Sequence, residues 1–86
     1  HETVYFSGRV QGVGFRFQVL QAAKGFDVAG FVRNLDVGRV LLEAEGEARE
    51  VEAFVAAIGE QMYGYVRQTE RLAARRAGQF QGFSIR

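Results

Sequence analysis

From Gly8 to Arg16 the chain reads Gly-Arg-Val-Gln-Gly-Val-Gly-Phe-Arg. Gly8, Gly12 and Gly14 let the backbone bend where a side chain would clash. The stretch follows a short apolar strand pattern (Val4, Phe6) and runs straight into a helical one. A glycine-rich turn in that position aims the backbone N–H groups of Gln11, Gly12, Val13, Gly14, Phe15 and Arg16 towards one point, at a helix N-terminus, which is an anion-binding arrangement. Arg16 adds a guanidinium fork matched to phosphate or carboxylate. Read alone, the loop is equally an ordinary strand-to-helix turn that leaves an arginine exposed.

Spacing removes several phosphate chemistries. A nucleotide P-loop ends in Gly-Lys-Ser/Thr, which is absent, and a dinucleotide fingerprint needs a third glycine where Phe17 stands. A cysteine phosphatase would carry its nucleophile at the position of Val10, and the chain has no Cys. His1 is expected to fray at the terminus and is not read as a phosphate acceptor. No clustered carboxylates suggest a magnesium site. A phosphate ester with a poor leaving group would normally need a metal, an acid or a covalent nucleophile. A mixed carboxylic–phosphoric anhydride is easier, because a carboxylate departs without protonation. Its hydrolysis needs phosphate charge neutralised and a water held in line. Arg16 and the loop amides supply the first; Asn34, with both a donor and an acceptor, can supply the second.

The elements that would position these groups follow from periodicity. Thr3–Gly8 reads as a strand, and Phe15, Val19, Ala22, Ala23 and Phe26 recur at helical spacing, giving a helix over about Phe15–Lys24 that stops at Gly25. Val28–Asn34 is a strand apolar on both faces for part of its length, suggesting a covered position, and Leu35–Gly38 is hairpin-turn chemistry. Arg39–Glu45 alternates, with Val40, Leu42 and Ala44 on one face and Glu43 and Glu45 expected towards solvent. Val51, Phe54, Val55, Ile58 and Met62 mark a second helix, with Glu50 and Glu52 in its first turns and Gly59 and Gly64 bracketing an irregular exit. Tyr65–Ala73 is a fourth strand, Arg75–Gln79 a basic turn, and Phe80–Ile85 a short closing strand. Arg67, Arg71, Arg75 and Arg76 are expected on a solvated face, Arg9, Arg33 and Arg39 as surface charges, and Tyr63 and Tyr65 as rim or half-buried packing.

The order β-α-β-β-α-β plus a terminal strand suggests an α/β (α+β) sandwich: an antiparallel sheet with both helices on one face. In that arrangement the turn after the first strand and the end of the second lie at one sheet edge. Arg16 and Asn34 become neighbours although 18 positions apart. At this point the residues resemble a known family. Gly8-x-Val10-Gln11-Gly12-Val13-x-Phe15-Arg16, with Gly30-Phe31-Val32-Arg33-Asn34, closely resembles the acylphosphatases, and the likeness extends to Gly46, Val51, Phe54 and Phe83-Ser84-Ile85. The resemblance implies a ferredoxin-like fold, metal-free and cofactor-free hydrolysis of a small acyl phosphate, and small monomeric cytoplasmic enzymes. It also implies that Arg16 and the loop amides bind phosphate, with Asn34 orienting the attacking water. A phosphate or sulfate ion is expected in the loop.

Composition agrees without deciding. Eighty-six residues, 48% hydrophobic and 24% charged, make one sheet-and-helix domain over 1–86, expected to be free-standing. No apolar run approaches the roughly 20 residues of a membrane span. A net charge of +1 gives no broad attraction to nucleic acid or membrane. The alternative is a non-catalytic ferredoxin-like module that binds phosphate or RNA, since Gly12–Phe17 superficially matches an RNA-recognition aromatic motif. Against RNA, that motif belongs on a central strand, and the third strand has no aromatic residue and carries Glu43 and Glu45. A further possibility is an acylphosphatase-like regulatory domain that senses phosphate or processes a carbamoyl phosphate.

Overall fold

Alternation along β1 (Glu2–Gly8) turns Val4 and Phe6 to one face, where both are fully buried. The computed structural model describes residues 1–12, 14–75 and 78–86. Beyond β1 the chain forms α1 (Phe15–Ala23), β2 (Ala29–Asn34), a single 3-10 turn (Asp36–Gly38), β3 (Val40–Glu45), α2 (Ala48–Gln61), β4 (Val66–Ala73) and β5 (Phe83–Ile85). One core holds the inner face of both helices (Phe15, Val19, Val51, Phe54, Ile58) and one face of the sheet (Val4, Phe6, Val32, Val40, Leu42, Ala44). Both helices therefore lie on the same side, in a ferredoxin-like α+β arrangement.

The sheet order is β4-β1-β3-β2-β5. β3 pairs antiparallel with both β1 and β2, so β1 and β2 run in the same direction. Leu42 faces Val4 on one side and Val32 on the other, a row of three core side chains that fixes both registers. β4 is antiparallel to β1, but β5 lies parallel to β2, so the sheet is mixed rather than wholly antiparallel. The cause is positional. β4 ends beside Glu2, at the start of β1, and the chain crosses to the far edge from there, so β5 must run the way β2 runs.

That crossing corrects several expectations. Glu43 and Glu45 do not face open solvent: Glu45 is buried, and its Oε1 accepts the backbone N–H groups of Gln79 (2.7 Å) and Phe80 (2.6 Å). The Thr3 hydroxyl donates to Glu43 at 2.9 Å, and His1 meets Glu43 through Nε2. His1 is not frayed, since its side chain is 3% exposed and its ring stacks on Phe80. Phe31, on the face of β2 away from the helices, is half-buried against Phe80 and beneath the Arg86 guanidinium. The covered position of β2 is thus real, with the crossing segment as its cover. Arg71 is not simply solvated, because it bonds Glu2 and Glu52, and Arg39 sits over the Tyr5 ring. α2 continues through Gly59 to Gln61, so the irregular exit begins only at Met62, and Tyr63 is fully at the surface. β4 starts at Val66, one residue after the expected start, and the closing strand is confined to Phe83–Ile85. Arg76, within the basic turn, lies outside the described residues.

Candidate active site

The loop leaves β1 through a shift of register between Ser7 and Gly8. Gly8 has φ 123°, and a Cβ there would stand 2.6 Å from the Tyr65 carbonyl oxygen, so the close passage of the two backbones requires glycine. The next N–H, of Arg9, donates to that same carbonyl at 2.8 Å. Val10 then drops into the core and anchors the near side of the loop. On the far side, Phe15 is buried against Phe6, with ring centroids 5.2 Å apart.

Between these anchors the backbone turns over. Gly12 and Gly14 have φ of 77° and 75°, and a Cβ on either would meet nothing within 4 Å. Their glycine requirement is therefore conformational, and the space above them is open. Gly14 is the N-cap of α1; its carbonyl accepts the Gln18 N–H at 3.0 Å, while no side chain caps the helix. The first-turn N–H groups, among them those of Phe15 and Arg16, have no carbonyl one turn before them. No acidic residue occupies the first turn, so the positive end of the helix dipole is uncompensated there. Val13, expected to contribute a loop amide, lies outside the described residues.

Arg16 lies in that first turn, half-buried, and its guanidinium makes no hydrogen bond or ion pair with any described residue. Together with Gly12, Gly14, Phe17 and Ile85 it lines a cavity of about 210 Å³. Asn34 is the last residue of β2, opposite Val40 in β3, and its exposed side-chain amide likewise bonds to no described residue. Because β1 and β2 run the same way, the loop after the first and the end of the second share one edge of the sheet. The Gln11 side chain ties them: its Nε2 donates to the carbonyls of Leu35 and Arg39, both at 2.9 Å. Sequence reasoning used Gln11 only as a backbone amide. Its side-chain partners are carbonyls 24 and 28 positions away, which carry no residue-type signal.

A larger cavity, about 700 Å³, lies near the other end of β1, but the arginine in its wall, Arg71, is already satisfied by Glu2 and Glu52. Among the described residues, no group of three His, Cys, Asp or Glu is placed to hold a metal ion. No described helix is long and apolar enough to cross a membrane. What the loop edge offers is an uncapped helix terminus, an uncommitted guanidinium and an uncommitted amide. That set suits an anion with a polar molecule beside it.

Comparison with known proteins shows which family shares this sequence and fold. The family model described as Acylphosphatase matches residues 2–85. An acylphosphatase of Oceanobacillus iheyensis is 51% identical over 55 residues, covering 64% of this chain and 60% of that protein. Among the first curated relatives, the matched segment spans only about 60% of the relative's length. The crystal structure of acylphosphatase from Bacillus subtilis superposes with a TM-score of 0.89 at 35% identity, over 98% of this chain and 94% of that one. Full-length HypF, in a phosphate- and nucleotide-bound form, matches with a TM-score of 0.80 at 26% identity, over 98% of this chain but 11% of its own.

Proposed function

The chain belongs to the acylphosphatase family, and on that premise we propose that it hydrolyses the carboxyl–phosphate anhydride of small acyl phosphates, releasing carboxylate and inorganic phosphate. The observation that carries this reading is the pair of uncommitted side chains, Arg16 and Asn34, at the edge where α1 begins uncapped. In this reading the phosphoryl oxygens accept hydrogen bonds from the loop amides of residues 11–16 and from the Arg16 guanidinium. The charge that grows on those oxygens in the transition state is met by these donors. Asn34 holds a water opposite the leaving carboxylate. The water oxygen bonds to phosphorus, the P–O bond to the acyl group breaks, and the carboxylate leaves as the anion. The proton of the water passes to a phosphoryl oxygen, so no side-chain base is required and no cofactor enters. The protein works as a cytoplasmic monomer, and inorganic phosphate or sulfate occupies the same loop.

The test is phosphate release from acetyl phosphate in the presence of a chelator. Arg16→Ala loses phosphate affinity and turnover together. Asn34→Ala keeps phosphate affinity and loses turnover by roughly 10²-fold, the scale of other single polar groups at reacting centres. Wild-type turnover in Asn34→Ala would remove its role, and activity abolished by chelator alone would overturn the metal-free route. Phosphate binding without any turnover would instead leave a non-catalytic phosphate-binding module. An RNA-recognition role is disfavoured because, of the two aromatics in Gly12–Phe17, Phe15 is buried, so the segment cannot present a pair of stacking rings.

A further inference from the structure

Phe17 stands one residue beyond Arg16, outside the buried stripe of α1 formed by Phe15, Val19, Ala22 and Ala23, and is 55% exposed. Among the described residues it makes no ring–ring contact, so the fold itself does not use the aromatic group. Ile85, at the end of β5, is also more than a third exposed. Single exposed apolar side chains need no explanation. These two come from opposite ends of the sequence and line the same small cavity as Gly12, Gly14 and Arg16. The parallel direction of β5 brings Ile85 to this edge, and the Arg86 N–H, donating to the Val32 carbonyl at 2.8 Å, fastens the strand end.

We propose that Phe17 and Ile85 form an apolar shelf for the acyl part of the substrate, favouring acyl phosphates with bulky, especially aromatic, acyl groups over acetyl phosphate. The proposal rests on the acyl-phosphate reading above and specifies its substrate class. A cavity of about 210 Å³ has room for about seven waters at roughly 30 Å³ each. With a phosphoryl group held by the amides and Arg16, the uncharged remainder of the molecule extends onto the cavity's apolar wall. Neither shelf side chain offers a hydrogen bond or a charge, which suits a hydrocarbon acyl group. The shelf touches the acyl group alike before and during reaction, so its effect falls on KM rather than kcat.

The experiment compares kcat and KM for benzoyl phosphate and acetyl phosphate, with inorganic phosphate as a competitive inhibitor. In the wild type, KM for benzoyl phosphate is lower by about tenfold, the scale of an aromatic contact with partial desolvation. Phe17→Ala raises the benzoyl KM by about tenfold and leaves the acetyl KM and the phosphate inhibition constant within about twofold. Phe17→Leu recovers part of the preference, and Ile85→Ser weakens it from the other strand. Equal shifts for both substrates, or no shift, in Phe17→Ala would overturn the shelf while the acylphosphatase reading stands. No turnover of either substrate by the wild type would overturn that reading and the shelf with it.

Discussion

Gln11 shows how much one side chain can settle at the edge where the chemistry is placed. Its Nε2 bridges the carbonyls of Leu35 and Arg39, which flank the 3-10 turn and are themselves linked by the Leu35 N–H to Arg39 carbonyl bond of 2.8 Å. A single primary amide thus holds the loop against the end of β2, where Asn34 sits. Gln11→Ala takes a donor from the partly buried Leu35 carbonyl, while that of Arg39 keeps the Leu35 N–H, and is expected to cost about 1–3 kcal/mol of stability. It also frees the loop to drift relative to Asn34, and turnover on acetyl phosphate falls by at least tenfold, since small misplacements at reacting centres cost about that much or more. Chemical denaturation and steady-state kinetics check the two effects separately, and unchanged turnover in a destabilised variant would confine Gln11 to a structural role. Arg16 and Asn34 could be singled out in the sequence because their side chains announce their chemistry and two motifs fix their spacing, and the shared direction of β1 and β2 brings them to one edge. The Gln11 bridge could not be, because its partners are main-chain atoms that any residue would present.

Helix α1 is nine residues long and starts on a glycine in the left-handed region, φ 75° and ψ 18°, with no side chain capping it. A serine or aspartate cap, worth about 1 kcal/mol to a helix, needs an extended N-cap backbone that the left-handed Gly14 does not offer, so the first-turn donors stay uncapped. The element leaves those donors without a side-chain partner, which is what the proposed phosphate binding requires. Inorganic phosphate is therefore expected to raise the melting temperature of the wild type, with about 2.7 kcal/mol of added stability at a hundredfold excess over Kd. It should leave Arg16→Ala almost unmoved. Gly14→Ala forces a Cβ into the left-handed region at a cost of about 1–2 kcal/mol, and the phosphate-induced shift in melting temperature shrinks; Gly14→Asn is milder. Equal phosphate shifts in all these proteins would place the ion elsewhere. Helix α1 was readable from Phe15, Val19 and Ala22, and the third strand from Val40, Leu42 and Ala44. The direction of β5 was not, because Phe83 and Ile85 alternate identically in either direction. It is set by where β4 ends, at Ala73 beside Glu2. For the same reason Glu43 and Glu45 looked solvent-facing: the segment that covers them carries little apolar signal beyond Phe80.

Across the whole molecule, the proposed chemistry and the charged tie of Arg71 lie at opposite ends of the sheet. Seven residues of β1 separate the two, about 20 Å from Glu2 to Gly8 at strand rise. At the Glu2 end, Arg71 of β4 donates from Nε and Nη2 to Glu2, both at 2.7 Å, and reaches Glu52 of α2, joining two strands and a helix. The Arg71 hydrogen bond, and then its charge, hold the Glu52 carboxyl below its ordinary 4.5, and the two carboxylates raise the pKa of Arg71 in turn. The sign follows from linkage. A carboxyl whose pKa is lower in the folded state contributes stability above its unfolded pKa and loses it as pH falls through the folded value. Glu52 lies at the surface, where solvent screening keeps such a contribution small. Arg71→Ala should therefore melt below the wild type at neutral pH, and the gap should narrow as pH is lowered through and below the ordinary carboxylate range. High salt should narrow it further at neutral pH. A gap that ignores both pH and salt would assign the loss to packing of the arginine stem rather than to its charge. Phosphate affinity measured on the same variant should match the wild type, because nothing in the Gly8–Arg16 loop or the Gln11 bridge depends on that tie; a large loss of affinity would show that the two ends of the sheet are coupled.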